Sequence, residues 1–179
     1  MGGWTTYLKI DQLLFLPMQS ISLAATTFVG QNLGKNQPER AREGTRASLL
    51  LAMTTTVVLM LPVIAFAPSL AGVFNPDADV VGYASLFLRC LTPFYVLCCI
   101  NQVYAGALRG AGNAKACMII MLVSFVAFRQ VYLFAMSNIW NDVLPIAMGY
   151  PAGWLLCSAI TAIYYHKVRL GKTRLVEDE

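Results

Sequence analysis

The sequence predicts an all-α integral membrane protein, and three observations carry that prediction. Of its 179 residues, 58% are hydrophobic and only 12% are charged, about half the charged share of a soluble domain. Its mean hydropathy is +0.61. The third observation is where charge is missing: residues 12–34, 47–76, 90–108 and 143–165 contain no Asp, Glu, Lys, Arg or His. Each gap is close to or above the ~20 apolar residues an α-helix needs to cross a bilayer. A membrane β-barrel would instead need segments of roughly ten residues with alternating polarity. These runs do not alternate.

Five spanning helices follow, in order over about 10–33, 46–72, 82–109, 115–137 and 143–166. The first is the charge-free run that leads to Gly30 and Gly34, where glycine allows tight packing and then a helix end. Asn36, Gln37, Pro38 and Glu39 then open the next amphipathic segment, with Pro in a first-turn position. The second holds Pro62 and the third Pro93, as the first holds Pro17. Each removes a backbone hydrogen bond and can kink its helix. The third helix ends in Gly106 and Gly110, a small-xxx-small face, before a Gly-Asn turn. The fourth, within Ala116–Asn141, is interrupted only by Arg129, and the fifth precedes a tail at 169–179. Met1–Gln12 lacks a basic start, an apolar core and a small-residue cleavage site, so no cleavable signal is expected.

Charge sets an expected orientation. Lys35, Arg40, Arg42 and Arg46 lie between the first two spans, Arg109 and Lys115 between the third and fourth, and Lys167, Arg169, Lys172 and Arg174 after the fifth. The alternate loops hold Asp77, Asp79 and Asp142, without Lys or Arg. Ten of 13 basic residues therefore share one side, which the positive-inside rule makes cytoplasmic. The spans account for these cations without nucleic acid as a partner. An odd number of spans then puts the N-terminus outside, as expected for the back part of a longer chain.

Two segments carry a resemblance. The first span exits as Val29-Gly30-Gln31-Asn32-Leu33-Gly34, and the third closes as Gly106-Ala107-Leu108-Arg109-Gly110-Ala111-Gly112-Asn113-Ala114-Lys115. With Phe74-Asn75-Pro76-Asp77 and Arg129, they resemble the multidrug and toxic compound extrusion (MATE) transporters over roughly residues 8–168. The usual Pro after that Arg is replaced here by Gln130-Val131. The resemblance implies helices eight to twelve of a twelve-helix, two-lobe carrier, with 1–168 as a partial C-terminal lobe. The N-terminal lobe and the first C-lobe helix would be expected elsewhere in a full chain. It further implies a multi-pass plasma-membrane antiporter that exports small organic cations or drugs in exchange for sodium ions or protons, with no cofactor. This segment alone is not expected to transport.

Polar residues inside a membrane are costly and are candidates for function, although helix–helix contacts use them too. Thr92, Tyr95, Cys99, Gln102 and Gly106 share one face of the third span, with Asn101 beside it. Gln12, Gln19 and Thr26 form a similar stripe on the first, with Ser22 nearby. Both stripes read either as a cavity wall for a cation or as an interhelical seam. Arg89 and Arg129 must be paired, hydrated or near an interface. A lock with Asp11 is the favoured reading and gating the alternative, with Gly106 and Gly110 as packing positions. Family members bind the driving ion on membrane carboxylates, and the third span here has none. The coupling group is therefore expected upstream of Met1, with Asp11 as the candidate within this chain.

The five cysteines lie in or beside apolar runs and read as small apolar residues. No metal-ligand spacing, phosphate loop or nucleophile–base pattern is present, so an enzyme is not expected. Two other functions fit a membrane protein of this kind. A lipid-linked oligosaccharide flippase of the same superfamily should show more cavity cations than Arg89 and Arg129. A small non-transporting five-helix subunit should be natively short.

Overall fold

The computed structural model describes residues 2–139 and 146–168. All regular structure among them is helical: α1 (Gly2–Gly34), α2 (Pro38–Ala65), α3 (Ala67–Phe74), α4 (Ala78–Leu91), α5 (Tyr95–Gly110), α6 (Ala114–Leu122), α7 (Phe128–Ile139) and α8 (Gly149–Lys167). Two short turns make α4 to α5 and α6 to α7 near-continuous rods: a 3-10 turn at Thr92–Phe94 and a π-turn at Val123–Ala127.

Four helical stretches, not five, are long and apolar enough to cross a bilayer among the described residues: Gly2–Gly34, Pro38–Ala65, Ala78–Gly110 and Ala114–Ile139. The fifth expected span is helical as α8, but its 19 residues include two glycines, a proline, three tyrosines, His166 and Lys167. That polarity takes it below the hydropathy the other four reach. Residues 143–145 of the expected span, Asp142 and the tail 169–179 lie outside the described residues.

Local chemistry explains where helices stop. α1 closes past Gly34 at Asn36, which holds φ 54 and so takes the left-handed position expected of Gly34. The Asn36 N–H donates to Leu33 O at 3.0 Å and the Gln37 N–H to Asn32 O at 2.8 Å, capping carbonyls that would otherwise be orphaned. The expected second span is broken. α2 ends at Ala65, three residues after Pro62, and α3 begins with Pro68 in its first turn. Pro93 sits in the 3-10 turn inside the third span, where the missing N–H and ring bulk favour a change of helix type. At the α3–α4 corner, Asn75 Oδ1 accepts from the Asp77 N–H and Asp77 Oδ1 from the Asp79 N–H, each at 3.0 Å. The second of these is an N-cap for α4.

α1 is the central post, packed on α2, α4 and α5, with α5 also against α8 and α2. Three buried clusters follow its length. Tyr7, Ile10, Phe87 and Leu91 form one, Leu14, Met18, Tyr95, Cys99 and Trp154 the next, and Val29, Ala105, Leu108 and Tyr165 the third. Leu13, Leu16, Leu50, Leu51, Val58 and Leu61 are exposed, as expected of helices that face lipid.

Candidate functional site

A close approach of α5 to α1 defines the site. Gly106 and Gly110 of α5 lie against α1: a Cβ at Gly106 would stand 2.6 Å from Ser22 O, and one at Gly110 would overlap Thr26 O. Backbone contact this close brings polar groups together across the seam. Ser22 Oγ donates to Gln102 O at 2.6 Å, and Thr26 Oγ1 bonds back to Ser22 O at 2.9 Å.

Beside that seam, α1, α5 and α6 enclose a cleft of about 340 Å³ lined by Gln19, Ser22, Leu23, Gln102, Arg109 and Met121. Two of the expected cavity residues, Gln19 and Gln102, therefore line one space. Arg109 is the charged member. Its Nε donates to Ala105 O at 3.3 Å and its Nη2 to Ser22 Oγ at 3.2 Å, so the side chain folds back along α5 toward the cleft. By charge distribution alone Arg109 counts among the cations between the third and fourth spans. Its spacing from Gln102 and Gly106, at i+7 and i+3, was the available signal.

The other candidates separate by depth. Thr92 and Tyr95 are fully buried. The Tyr95 hydroxyl lies 3.0 Å from that of Tyr7, which donates to Asp11 Oδ1 at 3.3 Å. Tyr7 thus joins Asp11 on α1 to α5, a link the sequence reading missed. Cys99 packs inside, with Thr56 Oγ1 at 3.0 Å and Met18 Sδ at 3.3 Å. Asn101 turns to α8, where Oδ1 accepts from Thr161 Oγ1 at 3.2 Å and Cys157 Sγ at 3.3 Å. Gln12 is exposed on the outer side of α1. The polar stripe of the third span is thus a seam at Thr92, Tyr95 and Cys99 and a cleft wall at Gln102. All five thiols are free.

Neither arginine pairs with Asp11. Among the described residues the ion pair present is Arg42–Glu39 at 2.9 Å. Arg129 instead lies over the Tyr150 ring, 3.8 Å from its centroid, where the face of the π-system offers the negative potential a carboxylate would have supplied. Arg89 is exposed at the end of α4.

The helical fold has counterparts among known proteins. A probable multidrug resistance protein NorM of Mannheimia succiniciproducens is 24% identical over 92% of this chain and 36% of its own length. The NorM of Thermotoga maritima is 30% identical over 82% of this chain and 28% of its own. An FAD transporter of Shewanella oneidensis is 26% identical over 90% and 35%. The chain thus spans about a third of the curated relatives it matches. Among solved structures, the eukaryotic MATE transporter AtDTX14 superposes with a TM-score of 0.87 at 16% identity, covering 96% of this chain and 38% of that one. An outward-facing MATE family transporter of the MOP superfamily gives 0.84. The family model described as MatE matches residues 1–133, and with it the chain belongs to the multidrug and toxic compound extrusion family.

Proposed function

We propose that residues 1–168 form part of the C-terminal lobe of a secondary active efflux carrier, which exports amphiphilic organic cations in exchange for sodium ions or protons. The observation that carries this reading is the MatE match over residues 1–133. Support comes from the polar cleft between membrane-length helices, a general design for transporter sites. The helix ends that carry the basic residues of 35–46 and 109–115 lie on the cytoplasmic side, and the N-terminal end of α1 faces outward.

Within this chain, Asp11 is the candidate ion-coupling carboxylate. It is half-buried, its recorded partner is the Tyr7 hydroxyl, and it has no cationic partner among the described residues. A membrane carboxylate held this way can change charge by binding a proton or sodium ion without first breaking an ion pair.

The test is transport by the full-length protein. Inside-out membrane vesicles loaded with sodium ions or acid should accumulate rhodamine 123 until the gradient is dissipated, and matched vesicles without the protein should not. Asp11→Asn should remove the response to the gradient. Equal dye levels with and without the protein, under both ions, would overturn the reading.

A further inference from the structure

The cleft holds a guanidinium where a cation exporter would be expected to offer carboxylates or aromatic faces. Its lining contains one charged side chain, Arg109, with two amides, one hydroxyl and two apolar groups. No carboxylate neutralises Arg109 among the described residues. Two of its donors are committed, Nε to Ala105 O and Nη2 to Ser22 Oγ. An arginine has five N–H donors in a fixed fork, so the remaining ones stay available while those two bonds hold the group in place. Gln102 on the same helix and Gln19 on α1 add amide donors of their own, and Leu23 and Met121 supply apolar surface.

We infer that this cleft binds an oxyanion, a carboxylate or phosphate carried on an amphiphilic substrate, with Arg109 as the binding residue. The inference rests on the cleft being part of the transport path, and it adds a preference, among amphiphilic cations, for those that also carry an acidic group. Guanidinium matches a planar carboxylate or a phosphate with two parallel bonds, which a lysine ammonium cannot do. Ser22 sets the geometry. Its hydroxyl is tied to Gln102 O at 2.6 Å and so accepts from Arg109 in one orientation.

Rhodamine 110 and rhodamine 123 differ only in a free carboxylate against its methyl ester, and they report the claim. Binding of each to the purified full-length protein is measured by fluorescence polarisation in phosphatidylcholine nanodiscs. The wild type should prefer the acid by roughly tenfold, the worth of one charge-assisted hydrogen-bonded pair. Arg109→Gln should bring the acid-to-ester ratio to near one. Arg109→Lys should keep part of the preference, and Lys115→Gln, outside the cleft, should keep all of it. A wild-type ratio of one, or a preference that survives Arg109→Gln, would overturn the inference. A preference that appears only when phosphatidylglycerol replaces phosphatidylcholine would assign Arg109 to lipid headgroups and overturn it as well. If neither dye binds the wild type while gradient-driven export also fails, the proposed function falls. If export of rhodamine 123 persists while the ratio is one, the oxyanion claim alone falls.

Discussion

Single side chains decide the character of this protein at two depths. Arg129 is a cation held by an aromatic face, 3.8 Å from the Tyr150 centroid, and it ties α7 to α8. Arg129→Gln should lower stability by about 0.5–2 kcal/mol, read as a fall in the thermal midpoint of the detergent-solubilised protein. Lys115→Gln should leave that midpoint in place, and equal effects would mean that the ring contact contributes nothing. Tyr7 and Tyr95 share a hydrogen bond at 3.0 Å inside the protein, so Tyr95→Phe leaves the Tyr7 hydroxyl with Asp11 alone. A loss of about 0.5–1.5 kcal/mol is expected for that bond. Sequence spacing was enough to put Gln19 and Gln102 among cavity candidates, because residues of one polar stripe share a helix face. Tyr7 and Asp11 stand four residues apart on α1, so their pairing was also within reach of helical spacing. The ring contact of Arg129 with Tyr150 joins two helices and is not a property of spacing along one.

At the scale of elements, glycine and proline do most of the shaping. Gly106 and Gly110 let α5 meet α1 at backbone distance, and the small-xxx-small pattern announced this from sequence. Gly106→Leu should drive a side chain into Ser22 O and cut the yield of monodisperse protein in size-exclusion chromatography. Overpacking of this kind costs about 1–3 kcal/mol. Gly34→Ala should be tolerated, since a Cβ there meets nothing within 4 Å, and similar losses for both would refute the packing account. Helix breaks were legible where proline caused them, at Pro62 and Pro93. The π-turn at Val123–Ala127 was not, because VSFVA has no breaker and the extra residue per turn is set by packing. The same limit applies to the α1 terminus. Either Gly34 or Asn36 could have taken the left-handed position, and Asn36 does so two residues further on.

For the whole molecule, the charge-free runs made the membrane class plain. Among the described residues four helices are of membrane length where five were expected, and α8 falls short because it is rich in Gly, Tyr and terminal cations. α1 carries buried contacts on one side and exposed leucines with Gln12 and Gln19 on the other. The central claim is that the α1–α5 cleft lies on the substrate's route. Substrate protection of single cysteines in the full-length protein tests it most directly. Gln19→Cys and Gln102→Cys should react with a maleimide above the level of the native thiols, and rhodamine 110 should slow that reaction severalfold. Lys9→Cys, exposed near the other end of α1, should react at the same rate with or without the dye. Protection at both cleft positions but not at Lys9→Cys is the predicted result; equal rates at all three, with and without dye, would contradict the account.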